Sequence, residues 1–206
     1  MDWAARRARL IEDLAERDRI DDERVLDALR SVPRHTFVPE ERRDGAYDDR
    51  PLPIGQGQTI SAPHMVAIMA DLLDLAPDDR VLEIGTGCGY HAAVTAELVD
   101  AVYSVEYHAE LAAQARQRLA DLGYENVSVR HGDGRAGWAD HAPYDRAYLT
   151  CAAESFPRAV VEQVRPGGLL LGPLGDRRQT LVRARRRADG RLDRERHGGV
   201  RFVAMQ

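Results

Sequence analysis

A chain of 206 residues is long enough to bury its own core without disulfide or metal staples, and one main domain, spanning 1–206, is the expectation. With 44% hydrophobic and 31% charged residues it is globular rather than disordered, and no apolar run approaches the roughly 20 residues of a bilayer span. The net charge of −5 speaks against nucleic acid as the main partner. The opening "MDWAARRARLIEDLAERD" lacks the apolar block and small-residue cleavage site of a secretory signal, so a cytoplasmic protein away from membranes is expected.

Apolar positions Trp3, Leu10, Ile11 and Leu14 predict a first amphipathic helix, and "DDERVLDALRSV" predicts a second, stopped by Pro33. The Pro- and Gly-rich stretch from Pro33 to about Ala62 is too long for an ordinary connection and reads as a functional loop region. A third helix is predicted from near Pro63 to Leu75, with Met65, Val66, Met69, Leu72 and Leu73 at helical spacing and Pro77 closing it. From Arg80 short β-like runs alternate with helical stretches. "RVLEIG", "AVYSVE", "VSVRHGD", "YDRAYLT" and "GGLLLGPLG" read as strands, and "YHAAVTAELV", "HAELAAQARQRLADLG" and "FPRAVVEQV" as helices. That alternation predicts an α/β fold of Rossmann-like, doubly wound type, its mostly parallel sheet covered by helices on both faces. "TLVRARRR", "RLDRER" and "GVRFVAM" follow as strands without helices between them, an antiparallel C-terminal edge. The chain thus divides into N-terminal helices and a loop region (1–62), an α/β core (63–175) and a C-terminal hairpin and strand (176–206).

All 29 basic residues are arginine. Nine of them, against four acids, lie between Asp176 and His197, which leaves −10 on the rest of the chain. Arg183, Arg185 and Arg187 alternate around a turn at Asp189-Gly190, the pattern of a solvated hairpin face. A nucleic-acid patch is the other reading, but aromatic residues are not interleaved. Cys88 and Cys151 are too few for a disulfide framework or a four-ligand zinc site and read as small core residues. The histidines show no metal-ligand spacing, and no metal is expected.

The first predicted strand of the alternating series runs into "EIGTGCGY", holding Glu83, Gly85, Gly87 and Gly89. A glycine turn between strand and helix lets backbone approach a ligand at the carboxyl end of a parallel sheet. Its G-x-G-x-G spacing differs from the dinucleotide fingerprint, and a carboxylate at Glu83 suits an ammonium or hydroxyl better than a pyrophosphate. Glu106 ends the next strand, where an acid accepts hydrogen bonds from both hydroxyls of a ribose. The third strand ends in "HGDG", with Asp133 placed to accept from an adenine amino group. Three acids at three strand ends suit a ligand with a cation, a ribose and a base but no phosphate. S-adenosyl-L-methionine answers that description.

"VLEIGTGCGY", "VYSVE", "HGDG" and "GGLLLGPLG" together resemble a class I, Rossmann-like methyltransferase. With "AYDDRPLPIGQGQTISAPHM" and "LGYENVSVRHGDGRAGW", the chain from Val32 to Val203 resembles the protein-L-isoaspartate O-methyltransferase family. The resemblance implies methyl transfer from S-adenosylmethionine to the free α-carboxylate of L-isoaspartyl residues in damaged proteins and peptides. The ester then closes to a succinimide. It implies Ser61 as the active-site serine, Glu83, Gly85, Gly87 and Gly89 as the glycine-loop motif, Glu106 as the ribose acid, and Asp133 and Gly134 at the adenine. A monomer is expected. Cys88, Cys151, Glu154 and the final "VRFVAMQ" depart from the usual family pattern.

An α-carboxylate is ionised at pH 7, so its methylation needs alignment rather than a base. Neutral donors hold such a group without withdrawing electron density as an Arg would. "PLPIGQGQTISAPHM" supplies Ser61, Thr59 and Gln58, together with N–H groups at the start of the next helix. Pro51, Pro53, Gly55 and Gly57 would then shape a lid. Ser61 also fits a plain helix N-cap. His64 is either a substrate-side donor or a packed first-turn residue, and Arg201–Val203 either borders the peptide or is a sheet edge. Two other functions share the same cofactor: methylation of RNA or a small molecule, and binding without turnover.

Overall fold

The computed structural model describes residues 2–17, 20 and 22–206. Its centre is a sheet of seven strands in the order β5-β4-β3-β6-β7-β8-β9, where β3 is Arg80–Ile84, β4 Ala101–Glu106, β5 Val127–His131, β6 Tyr144–Leu149, β7 Val164–Leu174, β8 Gln179–Arg186 and β9 Leu192–Val200. β3 to β7 pair in parallel, and the last two strands add antiparallel. The parallel strands are apolar on both faces because both are covered. Val81, Leu82, Ile84, Ala147, Tyr148 and Leu149 are all buried. From β3 the chain winds outward through β4 to β5, then returns to β6 on the other side of β3. The crevice of the sheet therefore opens between β3 and β6, the place where open α/β sheets take ligands.

Helix α1 (Trp3–Arg17) turns Ile11 and Leu14 into the core, and α2 (Glu23–Ser31) begins at Asp22, whose carboxylate accepts from the Arg24 N–H at 2.9 Å. Two 3-10 turns, Arg34–Thr36 and Glu40–Gly45, fill the first part of the expected loop region. The rest is a hairpin of β1 (Leu52–Gly55) and β2 (Gln58–Ile60), ordered where a shaped loop was expected. Its turn places Gly55, Gln56 and Gly57 at φ 96°, 53° and 70°, a left-handed run that two glycines make accessible. α3 (Pro63–Leu72) follows, then α4 (Tyr90–Ala96), α5 (Ala109–Asp121) and α6 (Arg158–Gln163) as crossovers.

α3 ends three residues before the predicted Leu75. Arg146 of β6 donates from Nε to the Leu73 carbonyl at 2.8 Å and from Nη2 to the Asp74 carbonyl at 2.7 Å, satisfying the helix's C-terminal carbonyls from across the fold. The C-terminal strand prediction is corrected as well. β9 stops at Val200, and the tail leaves the sheet edge to form a single bridge, Ala152 with Ala204. The Arg-rich hairpin is as expected for a solvated face, with Arg187 paired to Asp193, Arg191 to Asp189 and Arg183 to Glu195. No helix is long and apolar enough to cross a membrane among the described residues, and none of their His, Cys, Asp and Glu form a metal-holding group.

Candidate active site

A cavity opens at the carboxyl ends of β3, β4 and β6. Its floor is the turn after β3. Gly85 has φ +98°, and a Cβ there would lie 2.3 Å from the Thr150 hydroxyl. Gly134 forms another part of the wall, where a Cβ would meet Ile84 at 2.4 Å. Both positions exclude a side chain, so bare backbone faces the cavity.

Glu106 is 4% exposed, and its carboxylate is held by two backbone donors, the Gly87 N–H at 2.7 Å and the His108 N–H at 2.9 Å. These bonds lock the strand-end acid to the glycine turn and orient it along the cavity wall. Tyr107 and His108 continue that wall with their rings nearly perpendicular, and Tyr107, 51% exposed, is the one large apolar side chain at the surface among the described residues. An aromatic face next to a ribose-type acid is a platform for a flat base. Sequence reasoning missed Tyr107 and His108, though an aromatic immediately after the strand-end acid was a usable signal.

The β1–β2 hairpin arches over the cavity. Gln56 at its tip donates to Glu110 of α5 at 2.7 Å, the side chain of Gln58 lies 3.4 Å from the His108 ring, and Ile54 packs beside Gly87. Gln58, Thr59 and Ser61 all line the cavity. Ser61 is not a helix cap: Ala62 holds that position with no side-chain bond, and Pro63 begins α3. The Ser61 hydroxyl makes no hydrogen bond to any described residue.

The N–H groups at the start of α3 are not free, contrary to expectation. The His64 N–H donates to Asp49 Oδ1 at 3.0 Å, and the N–H groups of Met65 and Val66 turn back to the Ala62 carbonyl. His64 itself bonds Asp49 through Nδ1 at 2.8 Å, Asp49 also pairs with Arg17, and His64 does not line the cavity. The helix start already carries an anion of the protein's own.

Of the other expected site residues, Gly85, Gly87 and Gly134 line the cavity beside Glu106, whereas Glu83, Gly89 and Asp133 do not. Gly89 starts α4 with φ +92°. The Asp133 carboxylate accepts from the Arg135 N–H at 2.8 Å in an exposed turn. Glu83 lies beneath the floor, wholly buried, where Tyr148 donates to one oxygen at 2.8 Å and Ser104 donates to the other. Burial pushes its carboxyl up to about 8, against the opposing pull of those two hydroxyls.

The far wall comes from the chain's last residues, which sequence reasoning left undecided between a peptide border and a sheet edge. Val203 to Gln206 border the cavity. The Ala152 N–H donates to the Val203 carbonyl at 2.7 Å, and the Met205 N–H donates back to Ala152 at 2.8 Å. Gln179 anchors the tail, accepting from the Phe202 N–H at 2.6 Å and donating to its carbonyl at 3.1 Å. Gln179→Ala removes both bonds and is expected to weaken ligand affinity by about threefold to tenfold, read by calorimetry, while the melting temperature stays within about 2 °C. Unchanged affinity would mean the tail is not a working wall.

A doubly wound sheet with its crevice at the β3/β6 reversal, a glycine floor and a strand-end acid defines a Rossmann-like methyltransferase fold. The model of the family described as Protein-L-isoaspartate(D-aspartate) O-methyltransferase (PCMT) matches residues 5–206. Protein-L-isoaspartate O-methyltransferase 2 of Archaeoglobus fulgidus is 50% identical over 209 residues, covering 100% of this chain and 95% of its own. The Methanopyrus kandleri protein-L-isoaspartate O-methyltransferase is 51% identical over 204 residues, covering 97% of this chain and 90% of its own. Among solved structures, a protein-L-isoaspartate O-methyltransferase superposes with a TM-score of 0.89 at 28% identity, over 96% of this chain and 65% of that one. The chain belongs to the protein-L-isoaspartate O-methyltransferase family.

S-adenosylmethionine is the cofactor expected from the glycine turn and the strand-end acids. The residues present fit that molecule: bare backbone at Gly85 and Gly134, a fixed acceptor at Glu106, an aromatic face at Tyr107, and no arginine among the described residues of the lining.

Proposed function

We propose that the protein transfers a methyl group from S-adenosylmethionine to the free α-carboxylate of L-isoaspartyl residues in damaged proteins and peptides. One observation carries the reading beyond family membership: in an arginine-rich chain none of the described residues that line the cavity is an arginine, and its substrate side is made of neutral donors. What S-adenosylmethionine supplies when bound is an electrophilic methyl on a positively charged sulfur. A lining without cations leaves that charge unopposed. An acceptor carboxylate is already ionised, so Ser61, Thr59 and Gln58 have only to orient it and keep water out.

Ser61 is the central member of that set, because its hydroxyl is uncommitted and points to no structural duty. The methyl ester so formed is attacked by the neighbouring peptide nitrogen, methanol leaves, and a succinimide closes whose hydrolysis returns part of the material to normal aspartate. Partners are accordingly isoaspartyl proteins and peptides. The pairing of Arg183, Arg187 and Arg191 with acids on the same hairpin argues against a nucleic-acid surface. The single exposed large apolar side chain among the described residues, Tyr107, sits at the cavity, which favours a monomer. Two unpaired cysteines, one of them buried, suit the cytoplasm.

Labelled methyl from S-adenosylmethionine should appear, as a base-labile ester, on an isoaspartyl peptide and not on its normal aspartyl twin. Equal labelling of the two, or label on RNA instead, would overturn the assignment. Ser61→Ala is expected to lower turnover on the isoaspartyl peptide by about tenfold, the worth of one hydroxyl bond to a charged group, with S-adenosylhomocysteine affinity nearly unchanged. Turnover within about twofold of wild type would remove Ser61 from the cradle.

A further inference from the structure

His91, the second residue of α4, borders the cavity, is 6% exposed and leans against the Tyr148 ring with centroids 4.6 Å apart. Neither of its ring nitrogens has a hydrogen-bond partner among the described residues. Its surroundings are otherwise saturated: Tyr148 bonds Glu83 and Thr95, and Ser104 bonds Glu83 and Thr86. A buried polar group left unpaired is unfavourable, and an orphan on a ligand cavity wall marks a partner that arrives from outside. Burial alone drives the imidazole down to about 3, with no charged group contributing, so the ring stays neutral and offers one N–H donor and one acceptor.

The position of the orphan along the sheet selects the partner. Glu106 ends β4, Tyr148 lies on β6 under His91, and β3 runs between them. The His91 ring therefore lies across β3 from the ribose acid. In S-adenosylmethionine the part at that remove from the ribose is the amino-acid headgroup. The residues proposed to orient the substrate, Thr59 and Ser61, belong to the hairpin side of the cavity, whereas His91 packs on Tyr148 of the sheet.

We propose that His91 is a cofactor-binding residue that recognises the amino-acid headgroup of S-adenosylmethionine, its neutral N–H donating to the α-carboxylate. The chemistry it reads is a carboxylate, which both the cofactor and the isoaspartyl substrate possess, and depth in the cavity favours the cofactor's. The inference rests on S-adenosylmethionine being the cofactor, and the test separates the two ideas.

Calorimetry on the full chain with S-adenosylhomocysteine, and with methylthioadenosine, which keeps the nucleoside but lacks the headgroup, gives the answer. His91→Leu should weaken S-adenosylhomocysteine about tenfold and leave methylthioadenosine within about twofold, and His91→Gln, with a donor and an acceptor of its own, should recover most of the loss. In the wild type, the His91 imidazole nitrogen resonances should move on titration with S-adenosylhomocysteine and not with methylthioadenosine, a readout that stands even if His91→Leu fails to fold. Equal losses for both ligands would make His91 a packing residue and overturn the proposal. So would an unchanged S-adenosylhomocysteine affinity with a raised KM for the peptide, which would assign His91 to the substrate. If neither ligand bound the wild type, the cofactor itself would be wrong.

Discussion

Glu106→Gln should weaken S-adenosylhomocysteine binding by about a hundredfold or more, measured by calorimetry on the folded protein. The carboxylate offers acceptors on both oxygens, and the protein already uses both, for the Gly87 and His108 N–H groups at 2.7 and 2.9 Å. A glutamine keeps the shape but turns one terminal atom into a donor, which must then face one of those N–H groups. The side chain rotates away or the glycine turn shifts. Either response withdraws the remaining lone pairs from a ribose diol, and the lost bonds were to an ion, the stronger kind. Because Glu106 also ties His108 and Tyr107 to the turn, the aromatic wall moves with it. A loss under about threefold would show that the ribose lies elsewhere in the cavity.

The second large effect concerns stability. Glu83→Ala should destabilise the protein by about 3–5 kcal/mol, lowering Tm by about 10 °C, because it opens a void under the cavity floor and takes the charged acceptor from the hydroxyls of Ser104 and Tyr148, which keep only Thr86 and Thr95 as partners. Glu83→Gln, which resembles the protonated acid, should stay within about 1 kcal/mol of wild type at pH 7. The pH dependence supplies an independent signature. With the folded carboxyl raised to about 8 from 4.5, the native state holds a proton that the unfolded chain releases, so stability falls as pH rises through that window. His91 acts with the opposite sign: lowered to about 3 from 6.5, it stabilises above 6.5 and loses that contribution as pH falls. The two slopes oppose each other between about 4.5 and 6.5, and above that the His91 contribution fades within about a pH unit and the Glu83 slope dominates. Denaturant titrations of the ligand-free protein should therefore show about 1 kcal/mol lost between pH 6.5 and 8, and no such loss in Glu83→Gln. A wild-type profile that is already flat there would mean Glu83 is ionised in its buried site.

The alternating core could be read from the chain because its signals are local. Strand-length apolar runs with helices between them, a glycine turn after the first and an acid closing the second each depend on a few neighbours, and the Asp189-Gly190 turn set its hairpin in the same way. Ser61 shows where local logic stops. Ser-Ala-Pro fits a capping pattern, yet Pro63 fixes the helix start and Ala62 takes the cap with ψ 144°, leaving the hydroxyl to the cavity. His64 carried the right chemistry for a substrate contact, but Asp49, fifteen residues earlier, claims both its ring and its N–H.

The sequence by itself determined the fold class, the cofactor's end of the sheet and the family, since strand period, turn chemistry and strand-end acids are written in consecutive residues. Tertiary structure alone decided that Glu83 lies under the floor rather than on the wall, that Arg146 ends α3, that the tail closes the cavity, and that His91 faces it unpaired. Each of these depends on which distant groups compete for the same polar atom or the same volume. That competition is settled only when the elements pack.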